Sequence, residues 1–123
     1  MIELTQLNSP DAPVVFETAS AANGSLIGFA TLNSPKSLNA LNKAFCAGGD
    51  VVSLHNAMNS GEPANLIEDY FAHEYRLDHL IHCYDKPILV WGNGIVMGGG
   101  LGLMAGASHR VVTENSRIAM PEL

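Results

Sequence analysis

Apolar residues fall along this chain in short runs separated by turn chemistry. Residues 14–18 alternate as one strand and residues 26–32 as a second. Between them Ala22-Asn23-Gly24-Ser25 has the composition of a hairpin turn, because asparagine and glycine tolerate positive φ. After a loop at 33–37, residues 38–42 read as the first turn of a helix with Ser37 as its N-cap. Residues 43–46 read as the end of a strand that enters a tight glycine turn. A helix follows from Asp50 and fades near residues 59–61. Pro63 suits a first helical turn, and the next helix runs from Ala64 toward Tyr84. Its apolar positions Leu66, Ile67, Tyr70, Phe71, Tyr75, Leu77, Leu80 and Ile81 keep three-to-four spacing and are expected to be core. Asp85-Lys86-Pro87 stops it. A core strand at 87–91, a glycine-rich turn, a helix at 99–107, a strand at 109–113 and an extended piece at 118–123 complete the chain. Strands alternating with helices, without repeats, place it in the α/β class.

One passage breaks this order. A helix that starts at Leu38 has no residues left in which to finish, reverse and feed a strand ending at Cys46. Such a crossover needs on the order of 30 residues. Asn42 and Lys43 are therefore expected to flank a segment that a complete domain of this kind would contain.

Composition narrows the class. The 123 residues are 47% hydrophobic and only 15% charged, which suits a single globular domain. The net charge of −6 and the lack of any basic run argue against nucleic acid or an anionic membrane as partner. The longest apolar stretch, residues 87–107, is interrupted by seven glycines and is not expected to span a membrane. The first residues carry no basic and apolar segments of the secretory kind. Cys46 and Cys83 match no zinc spacing and read as reduced thiols. A cytoplasmic location follows, or the mitochondrial matrix in a eukaryote.

The chemistry centres on Asn93-Gly94-Ile95-Val96-Met97-Gly98-Gly99-Gly100-Leu101-Gly102-Leu103. Three glycines between a strand and a helix leave backbone N–H groups unobstructed at a helix N-terminus, where a negative oxygen can be held. The plainer reading is that the glycines let a helix pack close to a sheet. A second such turn, Ala47-Gly48-Gly49-Asp50, precedes it, and Met120-Pro121-Glu122 follows. Two facing turns that each give one N–H to a single carbonyl oxygen would form an oxyanion hole, worth roughly 3–4 kcal/mol per donor. A nearby carboxylate would suit general acid/base work or attack on an acyl group.

Ser37-Leu38-Asn39-Ala40-Leu41, Ala44-Phe45-Cys46-Ala47-Gly48-Gly49-Asp50 and the glycine stretch together resemble the enoyl-CoA hydratase/isomerase (crotonase) superfamily. Glu74-Tyr75-Arg76-Leu77-Asp78, Tyr84-Asp85-Lys86-Pro87 and the stretch from Arg110 to Glu122 resemble its 3-hydroxyisobutyryl-CoA hydrolase branch. The resemblance covers most of residues 26–123. It implies a crotonase-like ββα spiral core, seen in part as a single acyl-CoA-binding domain over residues 1–123. It implies that Gly49 and Gly99 donate the oxyanion-hole N–H groups and that Glu122 is the catalytic glutamate. Glu74 would line the acyl pocket, while Lys36, Leu38, Ala40, Ala47 and Gly48 would meet CoA.

Hydratases of this family carry a second glutamate where this chain has Gly102. That departure favours hydrolysis of a short branched 3-hydroxyacyl-CoA thioester, as in valine breakdown. The alternatives are a hydratase or isomerase of the same fold, or a truncated acyl-CoA-binding chain without catalysis that associates through exposed apolar faces. No metal and no cofactor are implied, since CoA is part of the substrate; a homo-oligomer is compatible. Glu74 also fits a solvated helix face, Asp50 an N-cap and Cys46 a small packing residue. The five histidines show no ligand pattern.

Overall fold

The structure is a computed structural model that describes residues 3–33, 44–49, 51–61 and 65–120, without the side chains of residues 44, 51, 53 and 66. The expected helical turn at 38–42, the Asn42–Lys43 passage, Asp50, Pro63 and residues 121–123 lie outside that description.

The amino-terminal part is a three-stranded antiparallel sheet of β1 (Thr5–Gln6), β2 (Val14–Ser20) and β3 (Leu26–Leu32). β2 and β3 pair without slippage from Val14↔Leu32 to Ser20↔Leu26. The turn between them follows from its residues. Gly24 adopts φ +81°, and the Ser25 N–H donates to Asn23 Oδ1 over 3.1 Å. The two-residue β1 was not foreseen. Asn8 holds it in place, with Nδ2 donating to the Val14 carbonyl and Oδ1 accepting from the Phe16 N–H, both at 2.8 Å.

The rest is α/β. In order come β4 (Ala44–Cys46), α1 (Val51–Asn59), α2 (Asn65–His82), β5 (Leu89–Gly92), β6 (Ile95–Met97), α3 (Gly99–Gly106), β7 (His109–Val112) and β8 (Arg117–Ala119). The glycine-rich stretch thus contains a strand, β6, where the sequence suggested only a turn. Gly94, at φ +96°, lets the chain leave β5 and enter β6 in a different sheet. β7 then lies parallel to β5, and β8 parallel to β6. This is a strand–strand–helix unit followed by the two strands of the next, the ββα order expected of a spiral core. Side chains of the connecting loop tie the units together. Ser116 Oγ donates to the Gly92 carbonyl over 2.7 Å, and the Arg117 N–H donates to the Gly94 carbonyl over 2.8 Å.

The core lies between β6 and α3. Val96 is 0% exposed, and Met104 and Ala107 are buried with it. α3 ends at Gly106, one residue before the expected end, because Ala107 turns extended at φ −68°, ψ 149°. Arg110 Nη1 donates to the carbonyls of Ala105 and Ala107, at 3.0 and 2.6 Å, placing a cation on the negative end of that helix.

The expectation that the apolar stripe of α2 is core needs correction. Tyr75 is 66% exposed and Leu80 58%, while Ile67, Glu74, Asp78 and Ile81 are half-buried on the side that meets α3. Glycines on α3 let α2 approach along a narrow line, and that line selects the two carboxylates as well as the isoleucines.

Candidate active site

Parallel pairing of β4 with β6 decides where the glycine turns stand. Ala44 pairs with Ile95 and Cys46 with Val96. Both strands run the same way and each feeds a glycine turn and then a helix. The Gly48-Gly49 turn and the Gly98-Gly99 turn therefore leave the sheet side by side. Gly48 has φ +103°, a backbone that side chains rarely tolerate. A Cβ built on it would lie 3.4 Å from the Met97 carbonyl oxygen and 3.7 Å from the Gly99 nitrogen. One built on Gly98 would lie 3.5 Å from Gly48 Cα. The turns touch backbone to backbone, as facing N–H donors require. Gly100 completes the seat, since a side chain there would run into the Cys46 carbonyl of β4.

The first hydrogen bonds of α3 are accepted by the Gly98 carbonyl, from Leu101 at 2.9 Å and Gly102 at 3.2 Å. The N–H groups of Gly99 and Gly100 precede them at the positive end of the helix, where orphan donors are expected. An edge of this kind can hold an oxygen that carries or develops negative charge.

Three polar side chains of α2 look onto this edge. Glu74 contacts the space where a Gly99 side chain would stand, and the Tyr70 hydroxyl does the same over Gly49. Asp78 covers Gly102, its Oδ2 lying 2.8 Å from the position a Cβ would take there. Glu74 and Asp78 are half-buried, and Asp78 Oδ1 is a buried atom without a hydrogen-bond partner among the described residues. Burial pushes the Glu74 carboxyl above its ordinary pKa, and the neighbouring Asp78 charge adds to the effect. Burial raises Asp78 as well.

Of the residues singled out from sequence, Ala47, Gly48, Gly49, Gly98 and Gly99 come together, and Glu74 faces them rather than solvent. Lys36, Leu38, Ala40 and Glu122 lie outside the described residues. β8, however, ends with Ala119 paired to Met97, so the chain leaves it at the edge from which the Gly98 turn leaves. Tyr70 and Asp78 were missed as site residues. Their only sequence signal is the i, i+4, i+8 spacing of Tyr70, Glu74 and Asp78, which puts all three on one helix face. A separate cleft of about 300 Å³ sits at the other end of α3, against Ile81, Lys86 and Arg110, away from the glycine turns. Among the described residues no three His, Cys, Asp or Glu side chains gather as a metal site, and no helix is long and apolar enough to cross a membrane.

Comparison with known proteins bears on this arrangement directly. The sequence profile described as enoyl-CoA hydratase/isomerase matches residues 41–123. The chain belongs to that family. It is 38% identical to the mitochondrial 3-hydroxyisobutyryl-CoA hydrolase of Xenopus tropicalis, over 77% of this chain and 32% of that protein. It is 48% identical to the small ribosomal subunit protein mS47 of Neurospora crassa, over 65% of this chain and 16% of that protein. The crystal structure of an enoyl-CoA hydratase from Rhodobacter sphaeroides superposes with a TM-score of 0.75 at 31% identity, covering 89% of this chain and 40% of that one. The crotonase fold and the resemblance to the hydrolase branch are thus borne out. The chain spans about a third of the length of the hydrolase.

The alignment with that hydrolase runs over 125 positions yet uses 77% of this chain, about 95 of 123 residues, so some 30 positions have no counterpart here. A gap of that size is what the abrupt passage at Asn42–Lys43 leads one to expect.

Proposed function

We propose that the protein hydrolyses a short branched 3-hydroxyacyl-CoA thioester, the activity named for its hydrolase relatives. In this reading the thioester carbonyl oxygen accepts hydrogen bonds from the N–H groups of Gly49 and Gly99. Glu122 attacks the acyl carbon or takes a proton from the water that does. The C–S bond breaks, CoA leaves as the thiol after gaining a proton, and water supplies the hydroxyl of the released acid. Lys36, Leu38, Ala40, Ala47 and Gly48 hold the CoA moiety, and Glu74 bounds the acyl pocket. The setting is the mitochondrial matrix, as the relatives' names suggest, and copies of the protein associate through apolar faces.

The parallel β4–β6 pairing carries this reading, because it brings two glycine turns into backbone contact at one edge. Gly102 supports hydrolysis over hydration, since no carboxylate can come from that position on α3. A second reading has its own observation: similarity to mS47, a ribosomal protein, favours a non-catalytic assembly role for the same core. Release of thiol from 3-hydroxyisobutyryl-CoA, measured beside hydration of crotonyl-CoA, separates them. Thiol release without hydration supports the hydrolase. Hydration alone supports the hydratase, and inactivity toward both supports the assembly role.

A further inference from the structure

We propose that Asp78 is a positioning residue for Glu74: filling the space above Gly102, one helical turn along α2, it keeps Glu74 a neutral acid that meets the acyl group as a hydrogen-bond donor. The inference rests on the glycine turns being the thioester site.

The geometry is specific. Glu74 and Asp78 are four residues apart on the face of α2 that meets α3, and they stand over Gly99 and Gly102, three residues apart on α3. A side chain at position 102 would displace Asp78, so the glycine and the aspartate fit each other. Asp78 Oδ1 is a buried atom with no partner among the described residues, a poor environment for a second full charge. Two carboxylates this close favour holding one proton between them.

Among the described residues little opposes this. α3 contributes no titratable side chain. The glycine turn contributes Cys46, and α2 adds Tyr70 one turn before Glu74 and His82 one turn after Asp78. The positive end of α3 favours a charged Glu74 and so works against the arrangement. Burial and the Asp78 charge, in that order, work for it.

The test is carboxyl NMR titration of the whole protein without substrate, together with the pH profile of thioester cleavage. In wild type the Glu74 midpoint should lie above that of exposed Glu114. In Asp78→Asn it should fall by about half to one pH unit, the effect of removing one charge about 5–6 Å away in a half-solvated setting. The pH profile should move the same way. Glu74→Gln should lower the Asp78 midpoint reciprocally, and it decides the matter if Asp78→Asn does not fold. Unmoved midpoints overturn the proposal, as does a pH profile that stays in place while the Glu74 midpoint moves. A wild-type protein that cleaves no thioester refutes the hydrolase reading instead, and the titration still reports whether the pair shares a proton.

Discussion

Gly100→Ala probes the contact that holds the two turns together. An ideal Cβ at this position would meet the Cys46 carbonyl oxygen and would lie 2.7 Å from Cys46 Cβ and 2.9 Å from its carbonyl carbon. Those are atoms of a strand fixed by its pairing with β6, so nothing nearby can rotate away. Overpacking of this kind costs about 1–3 kcal/mol, and a backbone obstacle belongs at the upper end. Alanine's better helix propensity returns about 1 kcal/mol, leaving a net loss of about 2 kcal/mol. Gly102→Ala is the matched control two residues on. Its Cβ meets the Asp78 carboxylate, the free end of a side chain, which can swing aside. The propensity gain is the same in both helical positions, so the difference between the variants isolates the clash. Urea denaturation of the two proteins measures it. Gly100→Ala should be less stable by about 2 kcal/mol, whereas Gly102→Ala should stay within about 1 kcal/mol of wild type. A Gly100→Ala protein as stable as its control would refute the close seating of α3 on β4.

Other consequences follow from the same geometry. Gly48→Ala forces a side chain into φ +103° and should cost about 1–3 kcal/mol. Gly24→Ala, at φ +81° with open space around it, should cost about 1 kcal/mol from backbone strain alone; chemical denaturation compares the two. Glu74→Gln should change how stability varies with pH. The folded pKa of Glu74 is raised, so its contribution is fully present below the unfolded value and is lost as pH rises through the folded one. The variant should therefore match wild type below about pH 4 and exceed it at pH 7, by less than about 1 kcal/mol because Glu74 is only half-buried. Equal stabilities at both pH values would contradict the burial of that carboxylate.

Most of the fold could be read from the order of short patterns. The hairpin at residues 22–25, α2 and the strand-to-helix turn before α3 all follow from local chemistry that acts within a few residues. β6 did not, because Ile95, Val96 and Met97 are too few to show a period and sit between glycines that suggest a turn. Its identity comes from its partners β4 and β8, which only the folded sheet supplies. The glycine pair of the site was legible for the opposite reason: each turn announces itself locally, and their order along the chain suggested that they face each other. Glu74 and Asp78 lay hidden in a helix whose larger residues suggested a different buried face. Packing against the glycines of α3 chose the inner face, and no property of α2 alone reveals that choice.

The central claim is that two paired glycine turns and Glu122 cleave a CoA thioester. The most direct measurement is the rate of thiol release from 3-hydroxyisobutyryl-CoA by wild type and by Glu122→Gln, with circular dichroism to establish that both are folded. Wild type should turn over, and the variant should lose at least several hundred-fold in kcat, within the roughly 10²–10⁴-fold span of a positioned acid or base. A folded variant that keeps kcat within about tenfold of wild type would contradict the account.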